Sequence, residues 1–326
     1  MKRTGIVAIV MVLFLTLASM PLLAAGAGES DDGTIRIGVS PPADSEFYQL
    51  IKSGIEEGIR DRGVENIELL WQTPQSHQAV EDQQRIVEAW ITAQLDAIAV
   101  TTVGDLYAMD ALFEQGTDAG IAMFFLNMAE PQLEGVVDYD NFVSSVGYNN
   151  FEAARILGDW VVENVGSTGQ GAVLLGTPGV HANHRLEGFL AALEDSNWDI
   201  VSTQQADWVR DKGQSTAETI LQANPELNLI YGQNDEMALG AYQAVADRGM
   251  ADQVTVVGLD GVRAAVRSVM DGELEATMNV APKKMGYQLI NDILDHLEGE
   301  SVPKIHDIDV FVTDGSRAAE DIQVFQ

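Results

Sequence analysis

Hydrogen-bonding and aromatic residues recur in short clusters along this chain, each following an apolar run: Ser45-Glu46-Phe47-Tyr48, Thr101-Thr102, Asn127-Met128, His181 to Arg185, Gln233-Asn234-Asp235, and Asp260. Such side chains can hold a small polar molecule without altering it. Asp260 offers two acceptor oxygens, and the Asn234 amide both donates and accepts, which suits a hydroxyl group that does the same. Asp235, one residue on, reads instead as the cap of a helix beginning near Glu236. The clusters lack a nucleophile paired with a general base, which an enzyme of this architecture would normally display. His181 and His184 have no carboxylate cluster beside them and read as lip or surface residues, so neither a metal nor a cofactor is expected. With no cysteine, the chain is also without a disulfide framework, a thiolate metal site or a cysteine nucleophile. Asp195-Ser196-Asn197-Trp198-Asp199 opens like a calcium loop, but Ile200 stands where glycine is required and Ala206 where the closing glutamate is, leaving a helix-ending turn. Gly166-Ser167-Thr168-Gly169-Gln170-Gly171 lacks the Lys-Ser/Thr of a phosphate loop and reads as a linker turn.

Open parallel sheets bind ligands beyond the carboxyl ends of their strands, so these clusters need strands before them and helices after them. Apolar and β-branched runs predict strands over 35–39, 67–71, 97–101, 121–126, 172–175, 229–231 and 254–259. Apolar stripes at helical spacing predict helices over 47–62, 79–94, 151–165, 184–194, 214–223, 236–248 and 262–270. This alternation specifies parallel α/β layers. The pattern runs twice, with a break at the polar stretch 138–150, so the expected fold class is α/β with two doubly wound parallel-sheet lobes.

Composition agrees with two lobes. A chain of 326 residues that is 46% hydrophobic exceeds what one core usually accommodates and is too apolar for disorder. Fifty acidic against 18 basic residues give a formal charge of -32, which repels a polyanion over most of the surface and excludes nucleic acid as a partner. At the N-terminus, Lys2-Arg3 precede an uncharged apolar run over 5–17, then Pro21 and the small residues Ala24-Ala25-Gly26-Ala27-Gly28. The apolar part falls short of the roughly 20 residues a membrane span needs, so residues 1–27 read as a cleavable secretory signal and the expected location is the periplasm, without a lipoprotein cysteine. Loss of Lys2 and Arg3 would take the charge from -32 to -34. So acidic a surface, with six lysines in the chain, fits either a high-salt medium or an acidic protein kept soluble by its charge.

Three strings, Gln205-Ala206-Asp207-Trp208, then Gln233-Asn234-Asp235-Glu236-Met237-Ala238-Leu239-Gly240-Ala241, then Val256-Val257-Gly258-Leu259-Asp260-Gly261, resemble in order and spacing the periplasmic sugar-binding proteins of the ribose and galactose type. The likeness runs from about Thr34 to Thr313. Repressors sharing that core carry a helix-turn-helix ahead of it, whereas here an export signal and a large negative charge take its place. The resemblance implies a type I periplasmic binding protein fold, with a first lobe of residues 34–146 plus 281–308, a second of 147–280 plus 309–326, and a three-strand hinge. It implies that Phe47 and Tyr48 cover the apolar face of a sugar ring, that Trp208 faces Phe47 across the cleft, and that Arg185, Asn234 and Asp260 meet ligand hydroxyls. In Arg185-Leu186-Glu187-Gly188-Phe189 the Gly188-Phe189 pair is expected to pack the helix on the sheet and aim Arg185 at the cleft. Thr101 and Asn127 also match ligand positions, but with changes: Asn127-Met128 replaces an Asp-Arg pair, Thr101 and Ser45 replace asparagines, and Val280 replaces a glutamine. The ligand class is kept and its identity is left open. By the same resemblance the chain is expected to be a monomeric, exported solute-binding protein that captures a monosaccharide or polyol and presents it to the permease of an ABC importer. A sensory protein read by a chemoreceptor or kinase, and a periplasmic carbohydrate-active enzyme, stand as alternatives.

Overall fold

The computed structural model describes residues 33–325, except 105, 130–132 and 134–137, so the expected signal over 1–27 lies outside the described residues. In chain order the first elements are β1 (Ile35–Ser40), α1 (Glu46–Arg62), β2 (Ile67–Trp71), α2 (Val80–Thr92), β3 (Ala97–Val100), α3 (Tyr107–Asp118), β4 (Ala122–Leu126) and β5 (Ser144–Gly147). Then come α4 (Asn150–Asn164), β6 (Thr168–Leu175), α5 (Val180–Leu193), β7 (Asn197–Gln205), α6 (Arg210–Ala223), β8 (Leu229–Gly232), α7 (Asp235–Asp247) and β9 (Thr255–Asp260). The chain closes with α8 (Arg263–Met270), β10 (Ala276–Asn279), α9 (Pro282–Leu297), β11 (Ile305–Asp307), β12 (Phe311–Asp314) and α10 (Ala318–Asp321).

Every residue of β3 and β4 is buried, as a parallel strand covered on both faces by helices requires. These strands lie inside a six-stranded sheet of order β11-β5-β4-β3-β1-β2, parallel throughout. A second sheet of order β12-β10-β9-β8-β6-β7 is parallel except for β12, which runs antiparallel at the edge. The chain thus passes between the sheets after β5, after β10 and after β11. The architecture is the α/β, two-lobed, parallel-sheet class expected from the sequence, with the antiparallel edge strand as the one departure.

Two segments read as turns are strand. Thr168–Gly171 form the first half of β6, because Gly169 and Gly171 leave room for side chains of the neighbouring strand: a Cβ on either would lie 2.5 Å from the Trp198 ring or 2.7 Å from Ile200. Asn197-Trp198-Asp199 open β7, with the Trp198 indole donating to the Gly166 carbonyl at 2.7 Å, so the helix-ending turn is confined to the residues before them. The polar stretch 138–150 contains β5, a fully buried strand in which Ser145 donates its hydroxyl to the Met128 carbonyl at 2.7 Å. Hydroxyls that return to the backbone allow such a strand to be central.

Helices α1 and α9 pack so closely that a Cβ on Gly286 would stand 1.9 Å from the Ile51 carbonyl oxygen. Gly188 behaves likewise, but against α4: its Cβ would stand 2.0 Å from the Phe151 carbonyl. Gly188 therefore seats α5 on a helix rather than on the sheet, and it is Phe189, stacked on Tyr231 of β8 at 4.2 Å, that meets the sheet. Gly286→Ala should force α1 and α9 apart and cost roughly 1–3 kcal/mol or more, whereas Gly63→Ala, at φ 65 with open space around it, should cost about 1 kcal/mol from backbone strain. Urea unfolding of the two variants checks this, and equal losses would contradict the packing argument.

Candidate functional site

The carboxyl ends of both sets of parallel strands open on one cleft of about 660 Å³. Phe47 and Tyr48 enter it from the first turn of α1, Thr101 follows β3, and Asn127 follows β4. From the other side come Arg185 on α5, Trp208 after β7, Asn234 after β8, and Asp260 at the end of β9. All eight residues expected at a site line this one cleft, and Ser45 lines it as well. Met128 and Val280 do not: both are fully buried among apolar residues, Met128 beneath the first sheet, because the side chain after Asn127 points to the opposite face.

Arg185, lining the cleft, is buried, with 3% of the residue exposed. Its Nε donates to Asn150 Oδ1 at 2.7 Å, Nη1 donates to the Gln233 carbonyl, and Nη2 donates to the Tyr148 hydroxyl. Nη2 also lies 3.3 Å from Asp260 Oδ1, and Cζ lies 5.2 Å from the centre of the Trp208 ring. Burial alone opposes the charge on Arg185, but the surrounding phenols and the Asp260 carboxylate outweigh it and hold the guanidinium ionised. Burial pushes the Asp260 and Asp235 carboxyls up, with Arg185 pulling Asp260 the other way. Burial likewise raises the Tyr48 phenol, against a hydrogen bond from the Asn127 side chain.

Two buried glutamines brace the strand ends that carry these groups. Gln83 donates to the carbonyls of Ser40 and Thr101, at 3.1 and 2.9 Å, and accepts from the Val103 N–H at 2.8 Å. Gln233 accepts from the Gly176 N–H at 2.9 Å and donates to the Ala182 carbonyl at 2.8 Å. Each ties together loops that follow different strands of one sheet. The backbone is strained at three of the lining residues: Asn127 (φ 63), Trp208 (φ 66) and Asp260 (φ 145) lie where residues with a Cβ are uncommon. The Trp208 ring in turn lies over Gly176, where a Cβ would come within 1.9 Å of it.

Two expectations need correction. Asp235 does not cap its helix. Asn234 does, accepting from the Met237 N–H at 3.0 Å while its amide donates to the Trp208 carbonyl at 3.2 Å. Asp235 is fully buried behind it and accepts from Thr277 Oγ1 at 2.6 Å and the Val262 N–H at 2.9 Å, fastening the loop after β9 to β10. Asn234 therefore combines a structural role with its place in the cleft. His181, read as a lip or surface residue, lines the cleft, with Nε2 3.0 Å from the Asn127 carbonyl oxygen. The reason is that α5 begins at Val180, four residues before the predicted start, so His181 sits in its first turn and reaches a residue that follows a strand of the other sheet. Thr102, Thr177 and His77 also line the cleft and were not among the expected ligand contacts. The turn Gly176-Thr177-Pro178-Gly179, between a strand and a helix, is the sequence feature that could have drawn attention to Thr177 and His181. Among the described residues no group of three or more metal-ligating side chains comes together, and no helix is long and apolar enough to cross a membrane.

Two six-stranded sheets, parallel but for the edge strand β12, with a ligand-sized cleft at the shared ends of their strands define a type I periplasmic binding protein fold. The periplasmic binding protein domain matches residues 37–301, and the chain belongs to that family. It is 28% identical over 278 residues to the ribose import binding protein of Bacillus subtilis, covering 85% of this chain and 86% of that one. To the D-ribose/D-allose-binding protein of Pseudomonas aeruginosa it is 28% identical over 305 residues, covering 92% and 94%. Among solved structures, an ABC transporter periplasmic solute-binding protein from Actinobacillus succinogenes with bound D-allose superimposes with a TM-score of 0.80 at 28% identity, covering 88% of this chain and 100% of that one. One from Bacillus halodurans with bound myo-inositol does so with a TM-score of 0.81 at 25% identity, covering 90% and 99%.

Burial, with Arg185 nearby, lowers the His181 imidazole from 6.5 to about 4. The unfolded chain thus takes up a proton there before the folded one does, so the His181 contribution to stability is present above 6.5 and is lost as pH falls from 6.5 towards 4. His77, also lowered to about 4 by burial, has the same sign, whereas the raised Asp235 and Asp260 have the opposite one. His181→Gln isolates the effect, keeping a donor for the Asn127 carbonyl without the titration. The melting temperature of the parent relative to His181→Gln should fall progressively between roughly pH 7 and pH 5; a constant difference would contradict the assignment.

Proposed function

We propose that this protein is an exported solute-binding protein that captures one monosaccharide or related polyol in the cleft and delivers it to an ABC importer. The observation that carries the reading is the cleft itself: aromatic rings enter it from both sides around the Arg185–Asp260 pair, among convergent threonine, asparagine and histidine side chains. Relatives named for ribose and allose, and solved neighbours holding D-allose and myo-inositol, support the ligand class. Phe47, Tyr48 and Trp208 cover the apolar face of the ring, Phe47 and Trp208 from opposite sides. Arg185, Asn234, Asp260, Thr101 and Asn127 meet its hydroxyls.

Lobes of 34–146 plus 281–308 and of 147–280 plus 309–326 move about the three crossings. A ligand that touches both stabilises the closed form and shifts the equilibrium towards it. Residues 1–27 direct export and are removed, and the mature monomer works in the periplasm beside its permease. No bond is made or broken. Glycoside hydrolysis needs two carboxyl groups flanking the bond to be cleaved, and among the described residues lining the cleft Asp260 is the carboxylate, tied to Arg185.

Isothermal titration of the mature protein with D-ribose, D-allose, L-arabinose and myo-inositol, with amino acids and amines as controls, tests the reading. One-site binding of a sugar or polyol is expected. Asp260→Ala and Trp208→Ala should each weaken it roughly ten- to a hundredfold, about 1.5–3 kcal/mol for a lost charge-assisted bond or stacking face. His184→Ala, which changes a residue outside the cleft lining, should leave affinity unchanged. Binding of amino acids alone, or parent affinity in both cleft variants, would overturn the proposal.

A further inference from the structure

The polar groups expected to grip the ligand are largely engaged with other groups of the protein. Arg185 uses Nε on Asn150, Nη1 on the Gln233 carbonyl, and Nη2 on Tyr148 and Asp260. The Asn234 side-chain oxygen is taken by the Met237 N–H, and the Thr101 hydroxyl donates to the Leu126 carbonyl at 2.9 Å. A ligand rich in hydroxyls needs more partners than these leave.

Three residues of the cleft lining carry buried polar atoms that have no protein partner. Among the described residues, Thr102 Oγ1, Thr177 Oγ1 and Asn127 Oδ1 are buried, unpartnered and carried by residues that line the cleft. Buried polar atoms are nearly always paired, so each calls for an explanation. Thr102 is 3% exposed and follows β3 of one sheet, while Thr177 follows β6 of the other. Their loops meet across the cleft: a Cβ on Gly179 would lie 3.0 Å from the Gly104 carbonyl oxygen. Thr102 and Thr177 thus sit on loops from opposite sides that approach each other at Gly104 and Gly179.

We infer that Thr102 and Thr177 form a ligand-reading pair, one hydroxyl from each side of the cleft, that selects a polyhydroxylated ligand over its deoxy analogues. A threonine hydroxyl donates one hydrogen bond and accepts others, so it matches a ligand hydroxyl whichever way the proton points. A site with buried polar groups discriminates strongly against a ligand that leaves them unpaired, which is why a missing hydroxyl is penalised more than a missing methylene. Because the partners lie on different sheets, contact with both also favours closure. The inference rests on the sugar or polyol reading.

The test is isothermal titration of the parent, Thr102→Val, Thr177→Val and Thr102→Ser with D-ribose, D-allose, L-arabinose, myo-inositol and the monodeoxy analogues of whichever of these binds most tightly. Each valine should weaken that sugar by about tenfold, and serine should restore most of the loss. For each valine there should be one monodeoxy analogue against which the penalty disappears. Ligand-free melting temperatures should match the parent or exceed it, since valine removes an unpartnered buried hydroxyl and keeps the shape. Parent affinity in both valine variants, or a loss of the same size for every deoxy analogue, would overturn the pair while leaving the sugar reading intact. Failure of the parent to bind any of the four compounds would overturn the sugar reading, and the pair with it.

Discussion

A guanidinium shut away from water has to be met on every side, and the Arg185 side chain organises the cleft for that reason. An uncompensated charge in a buried setting is among the most costly features a fold can contain. Its partners come from separate parts of the chain: Tyr148 just after β5, Asn150 at the head of α4, the Gln233 carbonyl after β8, Asp260 at the end of β9, and the Trp208 ring after β7. Satisfying one cation therefore fixes the relative positions of four strand ends and a helix N-terminus. It also places Tyr148, one residue past β5 where the first crossing between sheets begins, under the control of the same group. A ligand contacting Asp260 would compete for the carboxylate that balances Arg185, which couples binding directly to the most constrained point in the structure.

The rest of the cleft follows the same logic with neutral groups. Gln83 and Gln233 are both fully buried, and each spends its amide on backbone groups of loops that follow parallel strands. In a parallel sheet those loops begin where the ladder hydrogen bonds stop, so side-chain amides take over their role. With the loops fixed in this way, the positive φ angles of Asn127, Trp208 and Asp260 can be maintained, and their side chains point into the cleft before any ligand arrives. Such preorganisation reduces the ordering that binding would otherwise require.

How much of this was legible in the sequence depended on the kind of signal. Long apolar runs such as those of β3, β4 and β9 declared buried parallel strands, and the polar residue after each run marked the cleft. Strands built from small or polar residues did not. β5 reads Ser-Ser-Val-Gly, and of its two buried serines Ser145 returns its hydroxyl to the backbone, while the start of β6 is glycine-rich because Trp198 and Ile200 lie over it. Asn127 and Met128 are adjacent in sequence yet point to opposite faces, one to the cleft and one to the core, and nothing in their composition separates them. Moving the start of α5 by four residues turned His181 from a lip or surface residue into one that reaches across the cleft. The helix-capping exchange between Asn234 and Asp235 is of the same kind, decided by which neighbour could bury its carboxyl against Thr277.

The central claim is that one small polyhydroxylated molecule sits between the two sheets on the Arg185–Asp260 pair. A crystal structure of the mature protein with its tightest-binding sugar or polyol tests this most directly. The account predicts the ring between Phe47 and Trp208, with ligand oxygens about 2.7–3.0 Å from Asp260 and Arg185 and contacts to residues of both sheets. A ligand seated outside this cleft, or held by residues of one sheet alone, would contradict it.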